Sequence, residues 1–146
     1  MSSCIFCRIS SEETRANIVF NDEGTCAFLD TYPLARGHTL VIPKRHVELL
    51  EELSLSETQH LFATVLRLLG AIKSAVKASA TTIAINNGRE SGQEEPHVHV
   101  HIIPRTMGDK GGAIHSIMSY RPQLKSIEME EIAKTIRNLV SRPQKE

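Results

Sequence analysis

The chain has 146 residues, 40% of them hydrophobic and 23% charged, so it is long enough to bury one core, too short to expect two, and too apolar for disorder. Seventeen basic residues balance seventeen acidic ones, which argues against a non-specific nucleic-acid or membrane-surface binder and leaves room for a local anion site. No run nears the roughly 18 consecutive apolar residues of a membrane span, and the first residues carry no basic-then-apolar leader, so the expectation is a soluble cytoplasmic protein, nuclear as well in a eukaryote.

In chain order, Cys4-Ile5-Phe6-Cys7 comes first. Two thiolates three residues apart reach one metal, so the pair is half of a tetrahedral zinc site. No second such pair exists, and histidines are the available partners: His46, in Pro43-Lys44-Arg45-His46, and one of the histidines near residue 100. A closed four-ligand site of this kind is structural. A redox pair is the competing reading, but a thioredoxin-like motif needs a βαβ context that the pattern here lacks. The third cysteine, Cys26, sits in Thr25-Cys26-Ala27-Phe28-Leu29 and reads as a small buried hydrophobe.

Ile18-Val19-Phe20, Thr25 to Asp30, Thr39 to Ile42 and Thr81 to Asn86 are short β-branched or apolar runs bounded by turn residues, which predicts strands. Asn21 to Gly24 is the hairpin turn between the first two, and Tyr32 to His38, with Pro33 and Gly37, is a structured loop. Ser54-Leu55-Ser56-Glu57 has capping-box spacing, and Leu61, Phe62, Val65, Leu68, Leu69, Ile72 and Val76 return at three and four residues, the mark of a long amphipathic helix. Asn86 to Gln93, polar and holding Gly88 and Gly92, reads as a turn fit to wall a phosphate.

That turn leads into His97-Val98-His99-Val100-His101, a predicted strand with three imidazoles on one face and the valines on the other. Residues 106–125 fit neither period and are expected as a loop; His115 there, and His60 near the start of the long helix, read as surface residues without a role. A second helix after Ser126 should bury Met129, Ile132, Ala133, Ile136, Leu139 and Val140. The sum is an α+β fold, an antiparallel sheet of about five strands with two main helices. One domain is expected over residues 1–146, its core in 4–105 and a C-terminal loop and helix in 106–146.

Imidazoles titrate near neutral pH, so within one row one ring is an uncharged nucleophile or ligand while its neighbour donates a proton. A lone His-x-His pair is ordinary on a solvated strand face; three in a row after a glycine-bearing turn point to attack on phosphorus. Two mechanisms compete: a histidine nucleophile that forms a phosphohistidine, or paired histidines that hold a catalytic zinc and its water. Ile102 and Ile103 follow His101 where metal hydrolases carry Asp-His, and two cysteines would saturate a zinc. The nucleophile is favoured.

His97-Val98-His99-Val100-His101-Ile102-Ile103 resembles the histidine-triad pattern, three histidines alternating with apolar residues and followed by two more. Cys4-Ile5-Phe6-Cys7, Phe28-Leu29-Asp30, the run from Gly37 to His46, and Asn86 eleven residues before His97 are similar to the Hint-like, nucleotide-binding branch of that family. The resemblance spans about residues 4–105. It implies a homodimer whose sheet continues across the interface, and hydrolysis or transfer at the α-phosphate of a purine nucleotide, with adenosine 5′-phosphoramidates the leading substrates and AMP the product.

By that resemblance His99 is the nucleophile, His101 contacts the phosphate, and His97 supports the site. The zinc ligands become Cys4, Cys7, His46 and His97. Asp30 matches a ribose contact, Phe6, Ile9, Ile18, Phe28 and Leu29 a base pocket, and Asn86, Gly92 and Gln93 the phosphate side. Relatives often carry Ser or Thr directly after the glutamine matching Gln93, and this chain has Glu94, which implies an altered leaving-group preference or slower turnover.

Two other readings remain. A dinucleoside polyphosphate hydrolase or phosphorylase shares the triad and needs a longer basic tract, for which Arg105, Lys110 and Arg121 are available. A nucleotide-binding interaction protein with low turnover is the other. A nucleic-acid-binding domain is disfavoured by balanced charge, the lack of tryptophan and only 4% aromatic residues.

Overall fold

The computed structural model describes residues 3–140. It forms two compact units, one ending at Lys110 and one beginning at Gly111. The ends of the expected 1–146 domain, residues 1–2 and 141–146, lie outside the described residues.

In the first unit a short helix α1 (Ile5–Ser10) precedes strands β1 (Ile18–Asn21), β2 (Thr25–Leu29) and β3 (Thr39–Pro43), then the long helix α2 (Leu55–Val76), β4 (Ala80–Ala84) and β5 (Val100–Arg105). The five strands form one antiparallel sheet in the order β1-β2-β3-β5-β4. This is the expected architecture, with strand ends displaced by one to three residues.

Asp22 makes the β1–β2 turn: its carboxylate accepts from the backbone N–H of Gly24 and Thr25, and its other oxygen lies 2.8 Å from His60 Nε2 on α2. His60 therefore ties the hairpin to the helix. Ser54 and Glu57 cap α2 reciprocally, side chain to backbone in each direction, as their spacing predicts. Phe62, expected in the apolar stripe of α2, is instead exposed, and Thr64 takes an inward place, bonded at 2.9 Å to Thr25.

Alternation along the strands divides the core. Ala27, Val41, Val98, Val100 and Ile102 pack with Leu61, Val65, Leu68 and Ile72 of α2. Cys26, Phe28, Leu40 and Ile42 point the other way, onto Phe6 and Ile9 of α1 and Cys4. Cys26 is fully buried, as expected, and burial pushes its thiol up to about 11. The face with α1 is the one that carries the histidines.

In the second unit, α3 (Ser126–Val140) forms where expected, and Glu128 accepts from the Lys125 N–H at its start. The burial expected for it does not occur. Met129, Ile132, Ile136, Leu139 and Val140 are all exposed and Ala133 is only half-buried.

Candidate active site

The triad does not lie wholly in a strand: β5 begins at Val100, so only His101 belongs to it. Pro96 has no N–H to give, the His97 N–H bonds the Glu95 carbonyl, and the Val98 N–H goes to the carbonyl of Val47 outside the sheet. The first ladder partner is Val100, opposite Val41. Side-chain alternation survives because the segment is still extended, with Val98, Val100 and Ile102 in the α2 core.

The three histidines face three different sets of atoms. His97, fully buried, has Nδ1 3.4 Å from Cys4 Sγ and 3.6 Å from Cys7 Sγ, while Cys7 Sγ is 3.4 Å from His46 Nδ1. A tetrahedral zinc with Zn–S near 2.3 Å and Zn–N near 2.0 Å places its S and N ligands about 3.5 Å apart. The donor atoms of Cys4, Cys7, His46 and His97 are thus spaced to hold such an ion. His97 Nε2 lies 2.8 Å from the Pro43 carbonyl and must donate to it, which leaves a lone pair on Nδ1 for a metal. Burial, with His46 and His99 adding to it against the Pro43 hydrogen bond, holds His97 down to about 4, in the neutral form ligation requires.

His99 is held by its neighbour's backbone. Its Nδ1 lies 2.7 Å from the His97 carbonyl, which only accepts, so the proton is on Nδ1 and Nε2 keeps its lone pair. Phe6 of α1 sets an edge against the His99 ring at 5.2 Å between centroids, and the His101 ring lies 4.9 Å away.

His101 has the opposite polarity. The backbone N–H of Leu34 donates to His38 Nδ1 (3.1 Å), so His38 carries its proton on Nε2 and passes it toward His101 Nδ1, 2.9 Å away. That leaves the His101 proton on Nε2, a buried atom with no hydrogen-bond partner among the described residues. Burial, then the neighbouring His99 and His38, brings His101 down to about 4, with Asp30 opposing, and burial likewise lowers His38. Asp30 lies 3.6 Å from His38 Nδ1. Asp30, His38 and His101 converge closely, but His38 spends its two nitrogens on the Leu34 N–H and on His101, so the three are not free to act as a ligand set.

His38 was not singled out for a role by its sequence position. The local signal is Gly37 before it: φ is +84°, and a Cβ there would lie 2.9 Å from Val76 Cγ1, so only glycine brings His38 to this place.

His99 and His101 line a cavity of about 440 Å³ together with Phe6, Ile9, Phe28, Leu29 and Asp30, the expected base and ribose contacts. Ile18 is not in its lining and is half-buried beside the α1 cluster. Asn86, Gly92 and Gln93 do not line it either. Asn86 donates to the Gly92 carbonyl, and the Gln93 amide is engaged inside its own loop, accepting from the Gly88 N–H and donating to the Glu48 and Glu95 carbonyls. Glu94 and Glu95 do line the cavity, a contribution the sequence motif signalled only for Glu94.

The model of the HIT domain matches residues 11–108. The chain belongs to the histidine-triad family. Among histidine-triad relatives, it is 37% identical over 134 residues to an uncharacterized HIT-like protein of Methanocaldococcus jannaschii, covering 92% of this chain and 98% of that one. It is 32% identical to an adenylylsulfatase of Arabidopsis thaliana, covering 99% and 74% of the two chains. A bis(5′-nucleosyl)-tetraphosphatase of Schizosaccharomyces pombe is 40% identical over 94 residues, 64% of this chain and 52% of that one. Of solved structures, a Streptococcus mutans protein superposes with a TM-score of 0.87 at 31% identity, covering 97% and 87%. A zinc-bound histidine-triad protein of Mycobacterium smegmatis gives 0.71 at 31% identity, covering 95% and 96%.

Proposed function

We propose that this histidine-triad protein is a purine nucleotide hydrolase that works at the α-phosphate through a nucleotidyl-histidine, with adenosine 5′-phosphoramidates as its substrates. One observation carries the reading: two neighbouring imidazoles in one cavity have opposite polarity, His99 presenting a lone pair at Nε2 and His101 a proton at Nε2. The relatives named as an adenylylsulfatase and a tetraphosphatase support chemistry at a nucleotide phosphate.

In the first step His99 Nε2 bonds to phosphorus as the P–N bond breaks; the leaving nitrogen, already protonated from solvent, departs as the neutral amine, while His101 Nε2–H donates to a phosphoryl oxygen. In the second step the oxygen of a water bonds to phosphorus as the bond to His99 Nε2 breaks; one proton of the water stays on the phosphate of the released AMP, the other goes to solvent, and His99 regains its lone pair. Phe6, Ile9, Phe28 and Leu29 offer the purine an apolar slot and Asp30 offers the ribose an acceptor.

Zinc is the metal we assign to Cys4, Cys7, His46 and His97, on the donor spacing and the thiolate pair; bound there it clamps α1 to the triad and leaves no coordination position for a reacting water. Thiolate ligands suit a reducing, cytoplasmic compartment. A homodimer is part of the same reading, its sheet continued through β4, an edge strand of five uncharged residues with Ile83 exposed at 43%.

The deciding experiment is intact-protein mass after acid-free quenching with adenosine 5′-phosphoramidate, with AMP followed in parallel. A transient nucleotidyl adduct and AMP, both lost in His99→Ala, are expected. Nucleotide binding without adduct or AMP in the native protein would overturn the reading in favour of a binding protein.

A further inference from the structure

Gln93 and Pro96 hold between them two glutamates whose position is set with care by the surrounding loop. The Gln93 side chain is clamped at both ends, its Oε1 2.7 Å from the Gly88 N–H and its Nε2 2.8 Å from the Glu48 carbonyl and 3.0 Å from that of Glu95. Gly88 (φ +96°) and Gly92 (φ +93°) make the turn that this clamp closes. Glu94 and Glu95 are thereby placed in the wall of the cavity that holds His99 and His101. Among the described residues neither carboxylate is held in an ion pair or a hydrogen bond, and Arg15 is the one arginine or lysine that shares the cavity lining with them.

Glu94 also lines a second pocket, with Glu48, Leu49, Gly88, Arg89, Gln93 and Pro96. The apolar slot and Asp30 are occupied by base and ribose in the proposed reaction, and what remains for the group leaving phosphorus is the side formed by Glu94 and Glu95, with the second pocket beyond. Over the two linings Asp30, Glu48, Glu94 and Glu95 face only Arg15 and Arg89 as charged partners. A leaving group with a negative charge, such as a sulfate or a phosphate chain, meets repulsion there; one with an ammonium meets attraction.

We infer that Glu94 selects the leaving group by charge, so that the preferred substrates are nucleoside phosphoramidates whose amine carries a further positive charge within reach of Glu94 and the pocket beyond it. This rests on the nucleotidyl-transfer reading above. It assigns to this chain a direction of preference that a Ser or Thr at the same position would not produce.

The test is a matched set of adenosine 5′-phosphoramidates made from 3-aminopropylamine, propylamine and β-alanine, cationic, neutral and anionic in that order, with kcat/KM measured for native protein, Glu94→Gln and Glu94→Lys. Comparing each variant with the native protein cancels the differences in leaving-group basicity. The cationic-to-anionic ratio should fall about three- to tenfold in Glu94→Gln and further in Glu94→Lys, with the neutral substrate within about twofold, and high salt should flatten the native preference. AMP release from all three substrates with an unchanged ratio in both variants would overturn the charge selection and leave the hydrolase reading intact. No AMP from any substrate with the native protein would overturn the hydrolase reading, and this inference with it.

Discussion

At the scale of single residues the decisive fact is which nitrogen of each imidazole bears the proton, and in each case a backbone group settles it. A carbonyl fixes His99, another fixes His97, and the Leu34 amide, through His38, fixes His101. His38 is a positioning residue, and replacing it by Phe keeps the ring volume while freeing the tautomer of His101. We expect kcat on the phosphoramidate to fall roughly 10- to 100-fold with KM little changed. A loss confined to KM would mean that His38 only shapes the pocket. The row of histidines on one face was legible in the sequence because side-chain alternation is a local rule, but the part of His38 was not, because it meets His101 across 63 residues of chain.

Among the elements, α1 is the one that most needs help. It has six residues and no side-chain cap, well short of the length at which a helix holds itself in water. Packing of Phe6 and Ile9 supplies part of its stability, and the proposed zinc the rest. About one zinc per chain is expected by elemental analysis, and Cys4→Ser should lower the unfolding temperature by more than His99→Ala does. Equal losses in the two variants, or a well-folded native protein free of metal, would remove zinc from the account. The long helix α2 was plain in the sequence because its cap and its period agree; α1 was not, since six residues are too few for a period, and Cys4, Cys7, Phe6 and Ile9 drew notice there for their chemistry and not as a helix. The late start of β5 had a visible cause in Pro96, but the bond from Val98 to Val47 that completes it did not.

For the molecule as a whole, every group in the proposed chemistry falls in the first unit, and the family match ends at residue 108, just before that unit does. The two edges of the sheet differ. β1 is four residues long with a break in register between Ile18 and Phe20, a poor template for further pairing, whereas β4 pairs regularly along its length. Ile83→Lys should therefore lower the molar mass in solution from about two chains to one; a native protein already monomeric at micromolar concentration would refute the dimer. The antiparallel sheet and the faces of its strands were readable from alternation and turn residues, but the order of the strands was not. The exposure of α3 was not, because a hydrophobic period announces that a face needs cover without saying what provides it.

The unpartnered Nε2 of His101 has a thermodynamic consequence. Among the described residues it has no acceptor, and a buried donor that gains one is stabilised by on the order of 1–3 kcal/mol. A molecule with a phosphoryl oxygen would supply that acceptor and bind the tighter for it, so AMP should raise the unfolding temperature more than adenosine at equal concentration. On the proposed reaction that ligand is the product, so in a cell the supply of nucleotide would become one of the things that sets how long the protein lasts.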